Sequence, residues 1–196
     1  MILRVLRGRG SRDDIVALEA ALARVAGEAT AERAGPAWFR LGWRRAEGLD
    51  REVVVVSHWS SAEAATKSDA NQTSPVAFAR QHVGDIELVH FEVDDTIRGH
   101  STEEPVAIRI ATGRFSRPGA DREMQDLLRE RAPRIGAEMA EAWVGRRLTG
   151  RDVEVTFVSA WRRLPEDRRL DDAFWPDIAL RYDQFVVEVY STLGVE

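Results

Sequence analysis

An internal repeat is the feature of this sequence that most constrains its fold. The segment VVVVSHWSS recurs as VTFVSAWRR, which brings Ser57 and Trp59 back as Ser159 and Trp161, 102 residues later. The segment from Arg4 to Arg12 likewise matches one that begins 105 residues further on. In a chain of 196 residues, repeats at this interval predict two tandem units of just under 100 residues each.

Both units show the same order of patterns: strand, helix, strand, strand, helix, strand. Ser11 and Asp14 have the spacing of a capping box, which predicts a helix beginning after Ser11. Apolar residues then recur at three- and four-residue steps, which predicts one apolar stripe on this helix: Ile15, Leu18, Leu22 and Val25. In the first unit we predict strands over 2–7, 38–44, 52–59 and 86–93, with helical segments over 12–34 and 61–83. In the second unit we predict strands over 106–112, 142–148, 153–161 and 185–193, with helical segments around 124–135 and 165–182.

The third strand of each unit is apolar on both faces. In the first unit Val53 and Val55 alternate with Val54 and Val56. Two helices can cover one face of a four-stranded sheet. Leaving the other face of the sheet exposed to water would cost about 25 cal/mol per Å² of apolar surface. We therefore expect an α+β fold in which two ferredoxin-like βαββαβ units pack their antiparallel sheets face to face as a pseudo-dimeric α/β barrel. The predicted units are residues 1–97 and 106–196, with a polar linker at 98–105.

Composition excludes several classes of function. With no cysteine there is neither a disulfide framework nor a thiolate metal site. A net charge of -5 argues against a general nucleic-acid binder, and no apolar run approaches the roughly 20 residues that span a bilayer. The first ten residues contain three arginines where a signal peptide needs its apolar stretch. We therefore expect a cytoplasmic protein with neither nucleic acid nor membrane as a partner.

The first unit resembles a known family. VVVVSHWSSAEA, the helix SPVAFARQH and the strand LVHFEV are similar to the antibiotic biosynthesis monooxygenase group of the dimeric α/β-barrel superfamily, over about 38–93. The second unit resembles the group through VTFVSAWRR and through its strand order. The resemblance implies a cofactor-independent monooxygenase that oxidises a small aromatic or polycyclic phenol held between sheet and helices.

Such a reaction needs an apolar slot for the rings and a polar group that stabilises the substrate anion. His82 or His90 could accept a phenol proton, because imidazole titrates near neutral pH. Four aromatic residues of the first unit could form the slot: Trp59, Trp43, Phe39 and Phe78. Each of these six residues also has a structural interpretation. This holds above all for Trp59 as a core residue, because the second unit contains the equivalent tryptophan, Trp161.

Two other functions remain open. The heme-degrading relatives of the group resemble this chain at Ser57, His58 and Trp59, and at a histidine four residues after a helical phenylalanine, here Phe78 and His82. That likeness implies heme as an alternative cofactor, with His82 as its axial ligand. The third possibility is a non-catalytic ligand-binding protein, because some family members carry an asparagine where this chain has Val55. A monomer with an internal pseudo-dimer and a homodimer are both compatible with the repeat.

Overall fold

The structure, a computed structural model, describes residues 1–32, 36, 38–48, 50–71, 74–99, 104–115, 119, 122–123, 126, 130, 139–149, 152–162 and 184–192. The chain divides into two compact units, Met1–His90 with Thr192–Glu196 and Phe91–Ser191. Antiparallel strands and α-helices make the fold class α+β, as predicted. The domain limits 1–97 and 106–196, with the linker at 98–105, stay predictions. In the part of the chain described, no helix combines the length and the apolar character needed to cross a bilayer.

Unit 1 has the strand order of a ferredoxin-like sheet. β1 lies between β4 and β3, and β2 pairs with the other side of β3; β3 is antiparallel to both β1 and β2. The second predicted helical stretch is divided into two helices by a polar segment. The elements are β1 (Ile2–Gly10), α1 (Arg12–Glu32), β2 (Trp38–Arg45), β3 (Arg51–Trp59), α2 (Ala62–Ala70), α3 (Pro75–His82) and the first half of β4 (Gly84–Arg98).

The start of α1 confirms the predicted capping box. The backbone N–H of Ser11 donates to Asp14 Oδ2 at 2.9 Å, and the backbone N–H of Asp14 donates to Ser11 Oγ at 3.2 Å. These bonds from the Ser11 side chain and backbone hold the pKa of Asp14 below its ordinary value. The predicted apolar stripe, Ile15, Leu18 and Leu22, is buried against the sheet. Local sequence therefore fixes both where α1 begins and which face it buries.

Unit 2 repeats this order of strands. β5 pairs antiparallel with β7 and β8, and β7 pairs antiparallel with β6, which gives the order β8-β5-β7-β6. The helical segments predicted around 124–135 and 165–182 lie outside the described residues, apart from isolated positions in the first. The strands are β5 (Ala107–Phe115), β6 (Met139–Thr149), β7 (Asp152–Trp161) and β8 (Gln184–Ser191).

β4 is longer than the sequence predicts. It continues five residues past the predicted end at Val93, and its second half pairs antiparallel with β6 across a register shift between Val93 and Asp95. The charged residues of this extension are accommodated because Asp94 forms an ion pair with Arg146 Nε at 3.1 Å. The strands also approach closely at Gly145, where a Cβ atom would lie 2.8 Å from that of Phe91.

An Arg–Glu–Arg cluster occurs at equivalent positions in the two units. In unit 1, Glu52 on β3 accepts from Arg9 on β1 at 2.9 Å and from Arg44 on β2. In unit 2 the carboxylate lies between the corresponding strands, 3.0 Å from one guanidinium and 3.6 Å from the other. The sequence repeat is thus also a repeat of side-chain contacts, and its unit 2 members are Glu154, Arg147 and Arg114.

The carboxylate of Glu52 makes stability depend on pH. Burial acts to raise its pKa, but the hydrogen bonds and charges of Arg44 and Arg9 outweigh burial and leave the pKa below the ordinary 4.5. A carboxyl group whose folded-state pKa is lowered stabilises the fold above its unfolded pKa and loses that contribution as the pH falls through the folded-state value. We expect the unfolding free energy to fall below about pH 4.5, and Glu52→Gln to flatten this part of the profile.

Urea denaturation between pH 3 and 7 measures this effect. Glu47→Gln is the matched control, since Glu47 is an exposed acid in the same β2–β3 hairpin. If the Glu52→Gln and Glu47→Gln proteins lose stability in parallel on acidification, the cluster contributes nothing to the pH dependence.

Candidate functional site

A charged residue lies inside the apolar first strand of unit 1. Arg4 is on β1, opposite Ser57 of β3, and is only 2% exposed. Its Nε donates to Ser57 Oγ at 3.1 Å, and its guanidinium carbon lies 4.6 Å from the centre of the Trp59 ring. The Trp59 indole N–H donates to the same Ser57 oxygen at 2.9 Å. Arg4, Ser57 and Trp59 therefore form one buried cluster on the sheet.

Helix α2 supplies the counter-charge for this arginine. Arg4 Nη1 donates to Asp69 Oδ1 at 2.5 Å and lies 3.3 Å from Ser68 Oγ, both in the last turn of α2. Burial lowers the pKa of Arg4, whereas the charge of Asp69 and the hydrogen bond to it act in the opposite direction. Because a guanidinium group is a very weak acid, Arg4 remains protonated at neutral pH and forms a partly buried ion pair with Asp69.

The second oxygen of Asp69 faces His90 on β4. Asp69 Oδ2 lies 2.9 Å from His90 Nε2, although the ring N–H direction does not align for a hydrogen bond. Nε2 is buried, yet the side chain as a whole is 36% exposed. The open part of the ring is therefore the edge away from Asp69. We call Arg4, Ser57, Trp59, Asp69 and His90 the arginine network.

Unit 2 contains part of the same arrangement. The Trp161 indole N–H donates to Ser159 Oγ at 2.8 Å, and the Arg109 guanidinium lies 4.5 Å from the ring centre. Arg109 is 5% exposed, so it is nearly as buried as its unit 1 counterpart. The sequence after residue 105 contains no histidine, and Val189 aligns with His90. An Arg–Ser–Trp cluster is thus common to both units, whereas among the described residues an imidazole lies beside it in unit 1 alone.

The structure distributes the predicted aromatic residues over the length of the unit 1 sheet. Trp59 is 3% exposed and packs against Ile2 and Ala65, an enclosure that favours its structural interpretation. Phe39 is half-buried and pairs in register with Ser57, so it lies in the same row of residues as Arg4. Trp43 pairs with Val53, at the other end of these strands. A contact of Trp59 or Trp43 with a ligand stays a prediction.

The two candidate histidines are far apart. His82 ends α3 and is followed by Val83, whose side chain packs against Gly8 and Gly10 near the end of β1. Arg4 lies six residues before Gly10, about 20 Å away along the strand at ~3.3 Å per residue. Phe78 lies one turn before His82, half-buried, with the Arg24 guanidinium 5.5 Å from its ring centre. His90 thus belongs to the arginine network, and His82 lies at the opposite end of the sheet.

His58 belongs neither to the arginine network nor to the end of the sheet where His82 lies. It alternates with Ser57 and Trp59 along β3 and therefore lies on the other face of the sheet. Burial lowers its pKa, and repulsion by the N-terminal ammonium group lowers it further. Among the residues the structure describes, no group of three or more carboxylate and imidazole side chains is arranged to hold a metal ion.

The sequence patterns indicate Trp59 and His90 but not the two residues that connect them, Arg4 and Asp69. A signal for Arg4 exists, because an arginine occurs at the same position of two apolar strands, as Arg4 and Arg109. An arginine repeated inside an apolar strand indicates a buried, paired charge. Nothing comparable marks Asp69, which is one of several polar residues in the segment SDANQ.

No family model matches the sequence, and no curated protein does so either. Solved structures match it over nearly its whole length. A candidate monooxygenase from Lactobacillus acidophilus NCFM has a TM-score of 0.67 at 10% identity, covering 100% of this chain and 97% of its own. A candidate monooxygenase from Fusobacterium nucleatum subsp. nucleatum ATCC 25586 has 0.63 at 12%, covering 100% and 92%. A heme-binding protein from Thermus thermophilus has 0.53 at 11%, covering 98% and 91%.

At such identities the likeness shows the fold alone. The neighbours therefore support the fold of this chain, and what their names say of binding or activity applies to those proteins. Because they include both candidate monooxygenases and a heme-binding protein, the fold does not choose between the functions left open above.

Removal of the Arg4 charge should be costly for stability. In Arg4→Met the carboxylate of Asp69 keeps its partly buried position but loses its cationic partner, so we expect a loss of about 3 kcal/mol in the unfolding free energy. Arg9→Met is the control, since Arg9 is largely exposed and its ion pair with Glu52 should contribute less than about 1 kcal/mol. Urea denaturation at pH 7 measures both. Equal losses in the two variants would contradict a special role for the buried arginine.

Proposed function

We propose that the protein is a cofactor-independent monooxygenase that binds a small aromatic or polycyclic phenol in unit 1, with His90 as the proton acceptor. One observation carries the proposal: an imidazole with an open edge lies 2.9 Å from a carboxylate that a buried arginine holds in place. A histidine supported in this way by a carboxylate is a common form of general base.

The chemistry follows from the charges of the site. When a phenol O–H faces the open edge of His90, its proton passes to the ring and the oxygen keeps the electron pair as a phenolate. The resulting imidazolium lies between the phenolate and Asp69, so both negative groups stabilise it. An electron-rich phenolate then passes an electron to molecular oxygen, which makes the substrate its own reductant and leaves no step for a bound cofactor.

Ring contacts in this proposal come from the residues nearest the arginine network. Phe39 is half-buried and lies in the row of Ser57 and Arg4, so its ring is the best placed of the predicted four. Little of the Trp59 ring is exposed, so Trp59 contributes by holding Ser57 and Arg4 in place rather than by contacting the substrate. Trp43 and Phe78 complete the apolar layer between sheet and helices. The two candidate monooxygenases among the fold neighbours support this reaction class.

The finer architecture belongs to the same proposal: two ferredoxin-like units forming a pseudo-dimeric α/β barrel. It is supported by the strand order, which is the same in both units, and by the fold neighbours. A single chain then already contains both halves of such a barrel, as a monomer or within a homodimer. A small aromatic ligand is its proposed partner.

Oxygen uptake tests the assigned base. The purified protein, incubated with phenols and anthrones in air, should consume oxygen, and His90→Ala should slow uptake at least about 100-fold. His82→Ala is the matched control, because it removes a half-buried histidine at the other end of the same sheet. Equal rates in the His90→Ala and unsubstituted proteins would discard His90 as the base. Binding of the phenols without any uptake would favour the non-catalytic ligand-binding function.

Heme binding through His82 is the second candidate function. His82 is half-buried at the end of α3, where its charge acts on Asp14, and a partly buried imidazole can serve as a metal ligand. In that case His82 would hold the heme iron and Phe78 would pack nearby. The heme would supply redox chemistry when bound. The heme-binding protein among the fold neighbours supports this candidate.

A heme titration separates the two histidines. If His82 is the axial ligand, added hemin should give a sharp Soret band that is lost in His82→Ala and retained in His90→Ala. The absorption spectrum and the affinity for hemin are the measurements. A band of equal intensity in both variants would show that neither histidine ligates the iron.

A further inference from the structure

We propose that Asp69 is a positioning residue, which holds His90 in the orientation that accepts a proton, and that Arg4 fixes Asp69 for this purpose. The inference rests on the proposed function, which it deepens by assigning roles to two residues of the same site. It is carried by a continuous set of short contacts from β1 through α2 to β4.

Arg4 is immobilised on several sides. Its Nε donates to Ser57, its Nη1 donates to Asp69, and its guanidinium plane lies over Trp59. A guanidinium that is 2% exposed has no water to replace its carboxylate partner. Asp69 therefore cannot rotate away without leaving a buried charge unpaired, and this requirement fixes the carboxylate.

The fixed carboxylate determines which edge of His90 is available. One oxygen of Asp69 is engaged by Arg4, and the other lies 2.9 Å from His90 Nε2. When the ring turns its Nε2–H toward that oxygen, Nε2 carries the hydrogen and Nδ1 keeps its lone pair. In the transfer step the substrate O–H bond breaks, an N–H bond forms at Nδ1, and the electron pair stays on the substrate oxygen.

Comparison of the two units separates this role from a structural one. Unit 2 contains a buried arginine stacked on a tryptophan, and none of its described residues is a histidine. The Arg–Ser–Trp cluster is therefore part of the fold in both halves of the chain. The contact between the carboxylate and the imidazole is the feature that the cluster supports in unit 1.

The ionisation of bound 2-naphthol tests the inference without requiring any oxygen chemistry. Free 2-naphthol is un-ionised at pH 7, and its anion absorbs at longer wavelength. The unsubstituted protein should ionise part of the bound probe, and His90→Ala should abolish this ionisation. We expect Asp69→Asn to lower the ionised fraction by about tenfold or more, with a dissociation constant within about threefold of the original, and Asp69→Glu to restore part of it.

Glu87→Gln is the matched control, since it removes an exposed carboxylate from the same strand as His90. It should leave the ionised fraction unchanged. Circular dichroism shows whether each variant is folded. If Asp69→Asn does not fold, the double variant Arg4→Gln/Asp69→Asn replaces it, because it leaves no buried charge unpaired.

The outcomes distinguish this inference from the function on which it rests. If His90→Ala abolishes ionisation and Asp69→Asn leaves it intact, Asp69 has only a structural role and the inference is wrong, while the assigned base stands. If His90→Ala ionises the probe as well as the unsubstituted protein does, or if the probe does not bind, the proposed function fails and the inference fails with it.

Discussion

A buried positive charge on the first strand of each unit constrains the structure around it. Arg4 and Arg109 lie between apolar neighbours on their strands, and each is almost completely enclosed. Such a charge is stabilised by hydrogen-bond acceptors and by an electron-rich ring. Arg4 has Ser57 and Trp59 of the neighbouring strand, and the Arg109 guanidinium lies over Trp161, whose indole N–H donates to Ser159. The Ser–x–Trp repeat in the sequence therefore marks the residues that surround a buried arginine in each unit.

In unit 1 the buried charge of Arg4 is also paired with a residue outside the sheet, Asp69 of helix α2. Because Asp69 pairs with Arg4, the last turn of α2 is held against β1, and the carboxylate is turned toward β4. His90 consequently faces a fixed anion on one side and keeps an open edge on the other. A structural ion pair and a site suited to proton transfer thus share one aspartate, and a residue that stabilises the fold can also orient the chemistry.

Much of unit 1 could be predicted because the signals are local. The capping box at Ser11 and Asp14 and the stripe from Ile15 to Leu22 depend on residues three and four apart, and both are confirmed. The extension of β4 beyond Val93 was missed, because its charged residues are stable in a strand only when β6 pairs with them. The sequence also could not indicate which of His82 and His90 lies near the other site residues, since both occur beside apolar residues in regular elements.

The sequence by itself determined the order of the strands and of the unit 1 helices and marked Trp59 as a repeated position, because periodicity, capping and repeats are properties of neighbouring or aligned residues. Tertiary structure alone decided that Asp69 would lie between Arg4 and His90. These three residues are on a helix and two strands, separated by 65 and 21 positions in the chain. Their meeting depends on how α2 packs on the sheet, and packing depends on many side chains at once rather than on any local pattern.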